Sequence, residues 1–186
     1  MLFDSHAHIN EASYSPEERA ELIKTIEASD VDYVADIGYD LASSKLAVEH
    51  AARYPWCYAV VGCHPHDARS MDDMELAMYK GLARKKKVVA IGEIGLDFHY
   101  DHSPRDIQRE WFRRQIRLAN QLKMPIVIHS READQETMDI LKEEGAFSEE
   151  RKSWFPKRPD PSGYTLKKSD AAKKAPDDPA DHMADD

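Results

Sequence analysis

Cysteine is scarce in this chain of 186 residues: Cys57 and Cys63 are the only two. Both fall in one apolar run, and about 20 Å of extended strand separates them at roughly 3.3 Å per residue, too far for a bridge. A disulfide scaffold is excluded, and the usage suits a reducing compartment. Long hydrophobic runs are also missing. None approaches the roughly 18 residues of a membrane-spanning helix, and no basic stretch followed by an apolar core opens the chain. The sequence therefore reads as a soluble cytoplasmic protein with no membrane partner. Positive charge is short as well, with 26 Lys and Arg against 35 Asp and Glu, a formal net charge of −9. That excludes a protein that coats nucleic acid by bulk charge. It does not exclude one that acts on nucleic acid, because bound divalent cations and a local arginine can supply the contact charge.

What is present is a rhythm. Short apolar runs at Met1–His6, Val31–Gly38, Cys57–His64, Val88–Ile94 and Ile126–Ser130 read as strands. Between and after them, Pro16–Ser29, Leu41–Arg53, Asp72–Lys86, Pro104–Lys123 and Ala133–Glu144 read as helices. Ser15 before Pro16, with Glu17 and Glu18 next, is a helix start. Ser103 before Pro104 reads the same way, and Gly145 is a plausible stop after Glu144. Five strand–helix repeats rich in Val, Ile and Ala predict an α/β fold with a buried parallel sheet and right-handed crossovers. They fit an open doubly wound sheet or the first five units of a TIM-type (β/α)8 barrel. Residues 1–146 form this domain. From Phe147 onward the texture changes: residues 147–186 hold five of the ten prolines, paired charges and few aliphatics, and read as a disordered tail or insertion.

The chemistry gathers at strand ends. His6 and His8 are one residue apart, the spacing that points two imidazoles the same way from a strand. Strand three ends in Gly62-Cys63-His64-Pro65-His66. Strand four carries Glu93 in an otherwise apolar run, where an unpaired carboxylate is costly, with Asp97 shortly after. Strand five ends in His129-Ser130-Arg131. In parallel α/β folds these ends share one rim, where ligand and catalytic groups collect. His6, His8, Glu93 and His129 are candidate metal ligands. His64 is a candidate for contact with substrate or a reacting water, with His66 beside it. Asp97 either orients a ligand histidine or caps a turn. Arg131 either clamps an anionic oxygen or pairs with Glu132. Cys63 reads as core. His50, His99 and His102 read as surface residues, and the arginines of the fourth helix as a solvated face. Imidazoles plus a bridging carboxylate suit one or two divalent cations such as Zn, Mg or Mn, without choosing among them.

Four stretches, Leu2–Asn10 (LFDSHAHIN), Gly62–Ala68 (GCHPHDA), Ile91–Phe98 (IGEIGLDF) and Pro125–Ala133 (PIVIHSREA), resemble the TatD family of metal-dependent deoxyribonucleases, in the family's order. The resemblance runs through Met1–Ala146. It implies a TIM-type barrel, two divalent metal ions, and hydrolysis of DNA phosphodiester bonds in the 3′–5′ exonuclease manner. It also implies that His6 and His8 hold one metal, Glu93 bridges, His129 holds the other and His64 lies near the substrate phosphate. The family's further histidine after the sixth strand and its late aspartate have no match here, so the chain reads as a truncated copy with weak or absent turnover. Two other readings stand beside this one. The first is an amidohydrolase-like ester or amide hydrolase, disfavoured because Glu93 stands where such enzymes often place a carboxylated lysine. The second is an inactive paralogue acting as a binding module.

Overall fold

A computed structural model describes residues 1–156, and the unit containing the site runs from Met1 to Trp154. Its elements alternate as β1 (Phe3–Ala7), α1 (Pro16–Glu27), β2 (Tyr33–Ile37), α2 (Leu41–Arg53), β3 (Cys57–Val61), α3 (Asp73–Ala83), β4 (Val88–Asp97), α4 (Arg105–Leu122), β5 (Ile126–Arg131), α5 (Asp134–Glu143) and α6 (Glu149–Ser153). A 3₁₀ turn at Pro65–Ser70 separates β3 from α3. The strands pair in parallel in the order 1-2-3-4-5. A doubly wound sheet reverses its order at a switch point. This one does not, so the architecture is the curled progression of a TIM-type barrel through its first five units.

Local chemistry sets the helix starts. Ser15 and Glu18 form a reciprocal capping box on α1, and Asp40 with Ser43 does the same on α2. Ser103, expected to cap α4, does not. Its hydroxyl donates to the His66 carbonyl and accepts the Arg69 amide, tying the α4 entry to the 3₁₀ turn. The strands also differ in extent from the sequence reading. β3 stops at Val61, short of His64, while β4 continues through Asp97. The short helix α6 lies in the stretch read as tail, and its Arg151 is buried, donating to the Met124 carbonyl.

The main core lies between sheet and helices. Trp111, Phe112, Ile116, Leu118 and Ala119 of α4 pack there with Ile91, Ile94 and Leu96 of β4. Removing a side chain such as Phe112 costs about 3–5 kcal/mol in a site of this kind. A second small layer, Ala35, Ile37, Val60 and Ala90, occupies the opposite face of the sheet. Two buried glutamines then fasten α4 to the strand ends. Gln115 brackets the Cys63 peptide, accepting its N–H at 2.8 Å and donating to its carbonyl at 3.1 Å. Gln108 brackets Asp97 in the same way, at 2.8 and 3.0 Å. Backbone that leaves the strand ladder while still buried needs such partners. The glutamines thereby hold the rim on which the candidate site sits.

Candidate metal centre

The rim converges on Glu93. Its carboxylate is 9% exposed and lies at the bottom of a cleft of about 470 Å³. The Oε2 oxygen lies 3.5 Å from His6 Nε2 and 3.8 Å from His8 Nε2. The Oε1 oxygen lies 3.2 Å from His129 Nδ1. His6 and His129, 123 positions apart, thus face one carboxylate, one on each oxygen. Two sets of potential ligand atoms result: His6, His8 and Glu93, and His64, Glu93 and His129.

The hydrogen bonds fix which nitrogen of each ring is available. The Nδ1 of His8 donates to the Ile37 carbonyl at 2.8 Å, which leaves Nε2 with its lone pair toward Glu93. The Nε2 of His129 lies 2.9 Å from Asp97 Oδ2, which leaves Nδ1 facing Glu93. His64 is arranged the other way. Its Nδ1 accepts the His66 amide at 3.0 Å, so a neutral ring carries its proton on Nε2 and is a donor. Burial, then the neighbouring imidazoles of His129 and His66, push the His64 pKa down to about 3, so the ring is neutral at physiological pH.

The carboxylates are ionised. Burial pushes Glu93 up, but the hydrogen bond with His129 and the electrostatic influence of the surrounding imidazoles outweigh it and hold its pKa below the ordinary value. Burial also opposes ionisation of Asp97. The Tyr100 amide, His129 and His66 overcome it and hold Asp97 well below the usual carboxylate range. His129 shows the converse: burial lowers its pKa, and Glu93 with Asp97 raise it to a net increase. An ionised carboxylate facing the ring nitrogens of three imidazoles, with the His8 ring held from behind by a carbonyl and the His129 ring by a carboxylate, is a donor set that fits a divalent cation.

The remaining sequence candidates fall as follows. Asp97 meets His129 and His66 through Oδ2, while Oδ1 accepts the amides of His99 and Tyr100 at the turn. His66 is on the rim, but its Nε2 is engaged by Asp97 at 3.0 Å. Arg131 does not pair with Glu132, which instead meets His99 at 2.8 Å. Its guanidinium lies 4.8 Å from the ring centre of Tyr100, exposed beside the site. Cys63 is buried, as expected. His102 is an exposed loop residue, as expected, and it lines the cleft together with Tyr39 and Arg69. His50 is buried, not a surface residue, because Asp36 meets its Nδ1 at 2.7 Å. The α4 arginines are not merely solvated. Arg109 pairs with Glu136, and Arg113 and Arg117 with Glu144.

The sequence reading missed Asp36, a carboxylate in the apolar run of β2 with 0% exposure. The argument that singled out Glu93, a lone acid in a buried strand, applies to it equally. It also missed Asn10, two residues past His8 and 1% exposed.

Comparison with known proteins matches this arrangement to a lineage. A family model described as TatD related DNase matches residues 3–152. An uncharacterized metal-dependent hydrolase, YabD, of Bacillus subtilis is 46% identical over 146 residues, covering 78% of this chain and 57% of that protein. A 3′-5′ ssDNA/RNA exonuclease TatD of Cronobacter turicensis is 36% identical over 140 residues, 75% of this chain and 53% of the relative. The chain therefore spans about half the length of the curated relatives it matches. The crystal structure of YjjV, a TatD homologue from Escherichia coli K12, superposes with a TM-score of 0.69 at 28% identity, over 77% of this chain and 56% of the other. Among the described residues no helix is long and apolar enough to cross a membrane. With motifs, sheet order and family match in agreement, the chain belongs to the TatD related DNase family of metal-dependent hydrolases.

Proposed function

We propose that this chain carries the first part of a divalent-metal phosphodiesterase centre that acts on DNA in the 3′–5′ exonuclease manner. The observation that supports it most is the division of Glu93: one oxygen toward His6 and His8, the other toward His129. In this reading His6 and His8 would hold one cation and His129 a second, with Glu93 available to both. When bound, two such cations supply Lewis-acid polarisation of a phosphoryl oxygen and a lowered pKa for an attacking water.

The protein's own groups do the rest. Asp97 keeps the His129 ring turned so that Nδ1 faces inward. His64, neutral and protonated on Nε2, donates a hydrogen bond to a substrate phosphoryl oxygen without adding a competing charge beside the cations. Arg131 and His66 lie on the same rim, where Arg131 offers a planar fork to a neighbouring phosphate. The nuclease assignment draws on the relatives named as exonucleases, and Glu93 in place of a bridging lysine favours it over ester or amide hydrolysis.

The test is direct. The chain is dialysed against Mn²⁺ or Zn²⁺ and given single-stranded DNA labelled at its 5′ end. Metal uptake that falls in Glu93→Gln and in His6→Ala/His8→Ala, with slow stepwise shortening from the 3′ end that EDTA abolishes, is the expected result. Metal uptake unchanged by those substitutions would remove the centre. Metal uptake without any DNA shortening would remove the nuclease activity of this chain.

A further inference from the structure

Asn10, Asp36 and His50 lie behind the rim, outside the candidate ligand set, and are 1%, 0% and 7% exposed. Burying a carboxylate, an amide and an imidazole together is costly unless each is hydrogen-bonded. Here the bonds form one chain. The Nδ1 of His50, on α2, lies 2.7 Å from Asp36 Oδ2. The other oxygen, Oδ1, accepts from Asn10 Nδ2 at 2.6 Å and from the Asn10 backbone N–H at 3.2 Å. Asn10 Nδ2 also donates to the Ile37 carbonyl at 2.9 Å. That carbonyl is the one that receives His8 Nδ1, at 2.8 Å.

We infer that Asn10, Asp36 and His50 are positioning residues for His8, acting through the Ile37 carbonyl to fix the tautomer and tilt of its ring. The consequence for metal binding rests on the reading of His8 as a ligand; the tautomer claim stands on geometry alone. Two features carry it. First, the amide orientation of Asn10 is forced. Turning it over would aim Oδ1 at the Asp36 carboxylate and at a carbonyl, both acceptors, so the amide keeps its two donors on them. The result is that Asn10 Oδ1 itself is buried with no hydrogen-bond partner among the described residues. A buried acceptor left empty is a cost that a purely structural asparagine has no reason to carry. Second, the network ends where the ligand begins. One carbonyl is shared by the amide and the imidazole, and the ring's other nitrogen faces Glu93 Oε2. Side chains that orient a ligand from behind commonly change metal affinity 10- to 100-fold when removed.

The experiment pairs two readouts. In the metal-free chain, long-range ¹H–¹⁵N spectra recorded above the ordinary imidazole pKa report the His8 tautomer. The wild-type ring is expected with its proton on Nδ1, and Asn10→Ala is expected to give a mixture. Zn²⁺ affinity of the same proteins is expected to fall 10- to 100-fold in Asn10→Ala, while in a His8→Ala background the same substitution changes it by about twofold or less. His50→Leu breaks the far end of the chain, and His50→Gln, which keeps a donor, is expected to restore part of the loss. Circular dichroism melting identifies any variant that fails to fold, in which case the His50 pair decides the question. An unchanged His8 tautomer in folded Asn10→Ala and His50→Leu would overturn the inference. So would equal losses of Zn²⁺ affinity in the presence and absence of His8. A wild-type chain that takes up no Zn²⁺ would defeat the ligand reading, and the tautomer measurement would still decide the positioning claim.

Discussion

Asp97 Oδ2 lies 2.9 Å from His129 Nε2, on the side of the ring away from Glu93. The carboxylate is 0% exposed and shares that oxygen with His66. It therefore decides which nitrogen His129 turns inward. Asp97→Asn keeps an oxygen for the amides of His99 and Tyr100 but cannot accept from both imidazoles. The expected outcome is a 10- to 100-fold loss of divalent-metal affinity, the scale seen when such a partner is removed. Isothermal titration with Mn²⁺ or Zn²⁺ measures it, and wild-type affinity in the variant would show that His129 is oriented by packing alone.

Far from the rim, Glu144 fastens α4 to the end of α5. Its oxygens accept from Arg117 at 2.7 and 2.8 Å and from Arg113 at 3.1 Å. Arg117, against the opposing effect of burial and with help from Arg113, lowers the Glu144 pKa below its ordinary value of 4.5. A carboxyl depressed in the folded state stabilises the fold above the unfolded pKa and loses that contribution as pH falls through the folded one. Urea midpoints should therefore drop below about pH 4.5 more steeply in wild type than in Glu144→Gln. Parallel curves for the two proteins would show that the clamp carries no pH dependence.

These two sites differ in how readable they were. Glu93 was legible because a lone acid interrupts an apolar strand, and His6 with His8 because their spacing matches a strand face. The sheet was legible because five apolar runs alternate with amphipathic ones, although periodicity alone could not separate a barrel from a doubly wound sheet. Sequence spacing placed His64 and His66 on the rim, but not by the route expected. They leave the strand and enter a 3₁₀ turn, so alternation no longer governs where their rings point. It failed at Glu144 and Arg117 because ion pairs between helices depend on packing. Gln108 and Gln115 were invisible for a similar reason: a glutamine that brackets a distant peptide looks, in sequence, like any helix-surface residue.

Lys87 offers a test of stability away from the chemistry. Its Nζ donates to the carbonyls of Ala51 and Tyr54 at 2.6 and 2.7 Å, closing the C-terminal end of α2. Those carbonyls lack intrahelical partners, and a cation suits the negative end of the helix dipole. Lys87→Met keeps the stem but removes the donor. A loss of about 1–3 kcal/mol is expected for charged hydrogen bonds of this kind, read from urea denaturation. A change under about 0.5 kcal/mol would mean that water replaces the ammonium at no cost.

The last prediction concerns the backbone beside His129. Gly95 has φ +153, and a Cβ built there would lie 1.8 Å from the His129 carbonyl oxygen. β4 and β5 approach so closely here because Gly95 and His129 are register partners. Gly95→Ala must therefore either push β5 outward or twist β4 into a different conformation, and a side chain at this φ is strained in either case. Both responses move His129 relative to Glu93. A destabilisation of about 2 kcal/mol or more is expected by urea denaturation, accompanied by loss of metal uptake. Gly81 supplies the control, because a Cβ there meets nothing within 4 Å and the residue lies within α3. Gly81→Ala should stabilise the chain by up to about 1 kcal/mol, through the helix preference of alanine, and leave metal uptake unchanged. If Gly95→Ala behaved like Gly81→Ala in both measurements, the β4–β5 contact would be loose enough to absorb a methyl group, and the fixed placement of His129 against Glu93 would be lost with it.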